Sequence, residues 1–142
     1  MLVTEILKGK GDLVFTVSPD ESIQSAAEQL LERRVGAVVV LDGEAVAGIL
    51  SERDVVQVVA REGPSALHNP VSCCMTREVH TAAPNESVDA LLARMTDRRV
   101  RHLPVVRDGR LCGIVSIGDL VKSKIEEVEA ESRGLRQYIA AG

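Results

Sequence analysis

The chain has no Trp and only one Phe and one Tyr, so any core has to be built from Val, Leu, Ile and Ala. Those side chains suit short strands packed under helices. Apolar runs near the roughly 20 residues that span a bilayer are missing. The start, Met1-Leu2-Val3-Thr4-Glu5, leads no charged segment into a long apolar one, so no signal peptide is visible and the cytoplasm is the expected compartment. Positive charge is not in excess either, with 17 Lys and Arg against 21 Asp and Glu and a net charge of -4. Neither nucleic acid nor an anionic membrane surface is therefore expected as a partner, although a local basic cluster can still hold a small anion. Cysteine is scarce and odd in number. Cys73-Cys74 lacks the two-residue spacer of common zinc or redox pairs, and Cys112 falls in an expected strand. All three read as small reduced core residues, with no metal site.

The 142 residues allow one ordinary domain or two half-domains sharing a core. An internal repeat favours the second. The stretch Arg33-Arg34-Val35 through Gly48-Ile49-Leu50-Ser51-Glu52-Arg53-Asp54 returns as Arg98-Arg99-Val100 through Gly113-Ile114-Val115-Ser116-Ile117-Gly118-Asp119, without a gap, at an offset of 65 (119 less 54). Thr16 and Thr81, Pro19 and Pro84, and Ser22 and Ser87 keep the same offset. Only the Asp-Gly turn slips by one residue, from Asp42-Gly43 to Asp108-Gly109. Two copies of one supersecondary unit organise the chain.

In chain order, Met1 to Leu7 is a short apolar lead, and Lys8-Gly9-Lys10-Gly11 is a basic turn, either a phosphate cradle or a solvated loop. Leu13 to Val17 is expected as a strand. Ser22 should cap a helix whose buried stripe is Ile23, Ala26, Ala27, Leu30 and Leu31, with Arg33-Arg34 in its last turn. A hairpin follows over Val38–Leu41 and Ala45–Leu50, then a short helix from Asp54 to Ala60 with its valines mostly buried. Gly63, Pro64 and Pro70 mark a turn-rich crossing. The second copy repeats the order: a strand over Val79–Thr81, a helix capped by Ser87 with Val88, Leu91, Leu92 and Met95 inward, and strands over Leu103–Val106 and Leu111–Val115. Beyond Asp119 a longer helix is expected. Its Val121, Ile125, Val128, Leu135 and Ile139 alternate at spacings of three and four with Ser132 in the gap, a coiled-coil-like seam that packs on its own domain or on a partner. The divisions are 1–65, 66–122 and 123–142.

The two Gly-x-x-Ser-x-x-Asp segments carry the chemistry. A hydroxyl and a carboxylate three residues apart at a strand-to-helix corner, beside helix N-terminal amides short of acceptors, suit a ligand with hydroxyls and phosphate. The same residues can instead merely cap the helices.

These paired segments, together with Met75-Thr76 and Arg98-Arg99-Val100-Arg101-His102-Leu103-Pro104-Val105-Val106, make the chain from about Leu7 to Val121 resemble a tandem pair of CBS domains, a Bateman module. The resemblance implies an α+β fold of mixed α/β type: two β-α-β-β-α repeats about a pseudo-twofold axis with a cleft on either side, plus a C-terminal helix. It also implies that the clefts take adenosyl compounds such as AMP, ADP, ATP, S-adenosylmethionine or NAD(H). One site is then formed by Thr16, Ser51 and Asp54, backbone at Ala37 and Val38, and Arg101 and His102 across the cleft. The other has Thr81, Ser116 and Asp119, with backbone at Leu103 and Pro104. Gly36 and Ala37 stand where Arg101 and His102 stand in the second copy and hold no phosphate through a side chain. The Asp119 site is therefore expected to take a less charged moiety, borrow Lys8 or Lys10, or stay empty.

The resulting expectation is a stand-alone regulatory module that binds an adenine nucleotide, signals to a partner by conformational change, and self-associates as a homodimer. The alternative is a dimerisation or adaptor protein with vestigial clefts. An enzyme is not expected: His68, His80 and His102 fall at unrelated positions, and no His-Glu-x-x-His, Gly-x-Ser-x-Gly or Walker-type loop is present.

Overall fold

A computed structural model describes residues 1–10 and 14–141. In chain order its elements are helix α1 (Val3–Lys10), strand β1 (Thr16–Val17), helix α2 (Ile23–Arg33), strands β2 (Ala37–Asp42) and β3 (Ala45–Ser51), helix α3 (Glu52–Glu62), helix α4 (Val88–Arg98), strands β4 (His102–Arg107) and β5 (Arg110–Ser116), and helix α5 (Ile117–Ala141). Short 3-10 turns at Pro64–His68 and Val71–Cys73 carry the crossing. The fold is thus mixed helix and strand, with small sheets and a C-terminal helix. Among the described residues no helix is long and apolar enough to cross a membrane.

The chain divides into two compact units. One takes 14–80 and 107–112; the other takes the described residues within 1–13, 81–106 and 113–142. The opening residues of each repeat therefore belong to the unit built around the other repeat's hairpin and second helix.

In the unit of residues 14–80, β1 pairs parallel to β2 through Thr16–Val39 and Val17–Val40, and β2 pairs antiparallel to β3. Val17, Ala26, Leu30, Val38, Val40, Leu50, Val71 and Met75 form the buried cluster between sheet and helices. Ser22 caps α2 as expected, its Oγ accepting from the Ser25 amide at 3.0 Å. The helix buries Ile23, Ala26 and Leu30, with Ala27 half-buried. Leu31 is 80% exposed, because it lies about 100° round the helix from Leu30 and past the edge of the stripe. Val56 on α3 is exposed for the same kind of reason, and only Val58 there is buried.

The other unit pairs β4 with β5 and packs α5 against α4 and α1. Val3, Leu91, Met95, Leu103, Val115 and Leu120 are buried within it. Here the expected strand over Val79–Thr81 does not form. A single parallel bridge joins Ala82 to Val105, with the Ala82 amide donating to Pro104 O at 2.9 Å and the Val106 amide donating to Ala82 O at 2.8 Å. The next rung back would need an N–H from Pro104, which proline lacks. The matching residue in the first copy is Val39, whose amide is present, and there the strand reaches Thr16.

Lys8-Gly9-Lys10 is the end of α1 rather than a turn; Gly11, and Leu13 of the first expected strand, lie outside the described residues. The helix is anchored by the Val3 and Thr4 amides, which donate to Glu86 O and Pro84 O, each at 3.0 Å. Neither α2 nor α4 ends on glycine: Arg34 and Arg99 both adopt φ of 55°, the left-handed cap usually left to Gly or Asn. The two hairpins turn differently. Asp108 and Gly109 both have positive φ, the pattern of a tight two-residue turn. In the first copy the turn falls on Gly43-Glu44, the positions that match Asp108-Gly109, so the one-residue slip of Asp-Gly in the sequence changes the turn residues and not the place of the turn; a bulge lies between Val40 and Leu41.

Candidate functional site

Each unit contains one strand-to-helix corner of the same design. In the first, Ser51 ends β3 and caps α3: its Oγ accepts from the Asp54 amide at 3.2 Å, while Asp54 Oδ2 accepts from the Ser51 amide at 2.9 Å and from the Ser51 hydroxyl at 3.0 Å. In the second, the Asp119 amide donates to Ser116 Oγ at 3.1 Å and the Ser116 amide donates to Asp119 Oδ2 at 2.9 Å. The first helical amide is also satisfied in both, Glu52 N by Gly36 O at 3.0 Å and Ile117 N by Arg101 O at 2.8 Å. These pairs of donors and acceptors differ by the same 65 positions as the sequences (101 less 36, 117 less 52). Fewer amides are thus short of acceptors than the sequence suggests, because two of the first three in each helix already have one.

What separates the corners is the second partner of each carboxylate. Thr76 Oγ1 reaches Asp54 Oδ1 at 3.4 Å. Thr76 is held there by a backbone bridge to Ile49, with amide and carbonyl exchanged at 2.9 and 3.0 Å. At the other corner Lys10 Nζ donates to Asp119 Oδ2 at 2.7 Å and to Ile114 O at 3.0 Å. Burial acts to raise the Asp119 carboxyl, but the hydrogen bonds from Lys10 and the Ser116 amide, together with the ammonium charge, outweigh it and hold the group below the usual carboxylate range. Of the two lysines weighed from sequence, Lys10 meets the acid, whereas Lys8 is an exposed residue of α1. The sequence places Thr76 directly after Met75, at the opening of the second repeat, and carries no sign of its reach to Asp54.

The lowered Asp119 value gives a signed prediction. A carboxyl whose folded value lies below its unfolded value of about 3.9 adds stability above that pH, and the contribution is lost as pH falls through the folded value. Removing the ammonium with Lys10→Met should raise the Asp119 carboxyl. The stability gap between wild type and variant should therefore be widest near neutrality and close only as pH falls below the ordinary carboxylate range. Urea titrations across that range measure it, and a gap independent of pH contradicts the assignment.

The remaining candidates fall as follows. Thr16 lies in β1 with Ala37 and Val38 on β2, and both β2 side chains are buried, so only their backbone can serve a ligand. Thr81 is exposed, and its carbonyl accepts from the Arg94 guanidinium at 3.0 Å; Arg94 also pairs with Glu86. Leu103 and Pro104 are buried, and Pro104 O is engaged by the Ala82 amide. Arg101 is exposed just before β4, and His102 opens the strand. Thr16, Ser51 and Asp54 therefore lie in one unit, and Thr81, Arg101, His102, Ser116 and Asp119 in the other.

None of the cysteines expected in the core is fully buried: Cys73 is exposed, and Cys74 and Cys112 are half-buried. Burial, assisted by Asp54, Cys73 and Glu62, pushes the Cys74 thiol up to about 11. Burial raises Cys112 as well. Both thiols are protonated at neutral pH, which disfavours metal ligation and redox exchange.

Comparison with known proteins agrees with this architecture. A family model described as CBS domain matches residues 11–61 and again 71–126. The chain is 32% identical over 149 aligned positions, covering 99% of itself and 72% of the relative, to the mitochondrial CBS domain-containing protein CBSX3 of Arabidopsis thaliana. The crystal structure of a CBS-domain containing protein from Agrobacterium tumefaciens superposes with a TM-score of 0.84 at 46% identity, covering 87% of this chain and 99% of that one. A CBS-domain pair solved in complex with methylthioadenosine and S-adenosyl-L-methionine gives a TM-score of 0.80 at 26% identity, over 89% of this chain and 98% of that one.

Proposed function

The chain belongs to the CBS-domain family, of which it carries two consecutive copies, and from that premise we propose that it is a regulatory, non-catalytic module that binds an adenosyl compound and reports its occupancy through a change of shape. The observation that carries the reading is the pair of Ser-Asp corners, matched at the same offset and built alike, in a chain similar to a CBS pair that holds S-adenosyl-L-methionine. The Asp54 carboxylate is assigned to the ribose hydroxyls with Ser51 assisting, backbone near Thr16, Ala37 and Val38 to the adenine edge, and Arg101 and His102 to phosphate. Thr81, Leu103, Pro104, Ser116 and Asp119 are the corresponding set in the second copy. The signalling unit is read as a homodimer.

The two sets are not equivalent in this reading. A ribose hydroxyl arriving at Asp54 displaces only a long hydrogen bond from Thr76, whereas at Asp119 it competes with a charge-assisted bond from Lys10. The Asp54 set is therefore the stronger receptor, and AMP should bind it better than adenosine does.

A thermal-shift panel of adenosine, AMP, ADP, ATP, NAD, NADH and S-adenosylmethionine tests the proposal. A ligand that binds only the folded chain raises Tm with concentration; the expected result is a saturable rise with at least one phosphorylated or sulfonium member. The capping boxes account for both aspartates without any ligand, which favours the adaptor reading if every member leaves Tm unchanged.

A further inference from the structure

Helix α5 has two faces with different surroundings. Leu120 and Ser123 are 0% and 5% exposed, turned into a unit in which α5 packs on α4 and α1. Val121, Ile125, Val128, Leu135 and Ile139 keep 43%, 53%, 50%, 61% and 68% of their surface exposed. With Ser132 they form six positions spaced four, three, four, three and four residues apart, the a/d pattern of a coiled coil. From Val128 to Ala140 every residue is exposed. A lone helix of about 12–15 residues is marginal in water, and Gly134 weakens this one further. The distal part of α5 therefore draws no packing from its own fold.

The flanking charges select what covers the seam. With Ile125, Ser132 and Ile139 at a, the e positions hold Lys122, Glu129 and Arg136, and the g positions hold Lys124, Glu131 and Tyr138. In a parallel, in-register pair each g residue meets the e residue five places on in the other copy. Lys124 then faces the partner's Glu129, and Glu131 faces the partner's Arg136, both with opposite signs. In an antiparallel pair overlaying the whole seam, Glu129 and Glu131 each face themselves and Lys122 faces the partner's Arg136, all with like signs. We infer that α5 docks on α5 of a second copy as a parallel, in-register coiled coil.

The inference rests on the homodimer reading and gives that dimer a surface and an orientation. Lys124 also pairs with Asp89 of its own α4 at 3.0 Å, so the Glu131–Arg136 pair is the cleaner test of charge.

Sedimentation of the full chain over a concentration series is the experiment, with circular dichroism to verify that each variant folds; the changed residues are all exposed. The wild type should be dimeric. Leu135→Asp, which places a carboxylate in the seam, should weaken the dimer by about a hundredfold. Glu131→Arg should weaken it by about fivefold to tenfold across two symmetric pairs, and adding Arg136→Glu should restore it. Ser132→Cys, exposed to dissolved oxygen as oxidant, should form a disulfide between the two copies of position 132, identified by mass spectrometry of the unreduced peptide. A monomeric wild type overturns both the seam and the homodimer. A dimer indifferent to Leu135→Asp overturns the seam and leaves the homodimer standing. A dimer broken by Leu135→Asp, but indifferent to Glu131→Arg and lacking the disulfide, is antiparallel and overturns the orientation.

Discussion

In the Asp54→Ala variant, affinity for the adenosyl ligand is expected to fall by about tenfold to a hundredfold, the equivalent of about 1.5–3 kcal/mol for a hydrogen bond to a charged group. The loss has two sources that a second variant separates. Asp54 also completes the cap of α3, accepting from the Ser51 amide and hydroxyl, so its removal loosens the corner as well as deleting the acceptor. Asp54→Asn keeps an oxygen that can reach the Ser51 amide while removing the charge. The cap should therefore survive largely intact, and affinity should still drop, though less than in Asp54→Ala. Calorimetric titration with the ligand that emerges from the thermal panel reads both effects. Unchanged affinity in both variants would assign Asp54 to capping alone. The same substitution at Asp119 should cost less affinity, since there the Lys10 ammonium already occupies the carboxylate.

Gly48→Ala is expected to destabilise the fold by about 1–3 kcal/mol, the usual cost of overpacking a filled site. An added Cβ would stand 2.8 Å from Thr76 O and 2.9 Å from Met75 Sδ. The carbonyl cannot retreat cheaply, because Thr76 exchanges both backbone hydrogen bonds with Ile49, next to Gly48. Yielding there would also carry the Thr76 hydroxyl away from Asp54, so the substitution should disturb the corner as well as stability. The matching glycine of the second copy makes the control. At Gly113 the three atoms nearest an added Cβ all belong to the Leu7 side chain, the first of them Cδ2 at 2.5 Å, the end of a flexible group. Gly113→Ala should therefore cost less than Gly48→Ala in urea unfolding. Equal costs would show that the backbone at Thr76 yields as readily as a leucine tip.

Much of this was legible beforehand because it is local. Ser22 and Ser87 as caps, the hairpins read over Val38–Leu50 and Leu103–Val115 and found a residue longer at each end, and the two Ser-x-x-Asp corners follow from side chains acting on backbone within three or four residues, or across one tight turn. The failures are also physical. Leu31 and Val56 fit an apolar pattern but sit at the margin of their helical faces, where propensity does not decide exposure. The strand over Val79–Thr81 is lost to Pro104, a residue more than 20 positions away whose missing N–H removes a rung. Nothing between 79 and 81 announces that. The helix ends at Arg34 and Arg99 carry no glycine to mark them.

By itself the sequence determined that there are two copies of one unit, where each copy places its hydroxyl and carboxylate, and that the last helix carries an apolar seam, since all three are written in fixed spacing along the chain. Tertiary structure alone decided what stands beside each carboxylate. Lys10 reaches Asp119 across 109 positions and Thr76 reaches Asp54 across 22, because the opening segment of each repeat joins the unit built around the other. No periodicity records such a pairing. It depends on which segments can bury Val3 or Val71 and fill the space left by Gly113 or Gly48, and it is this packing that makes two nearly identical motifs chemically unequal.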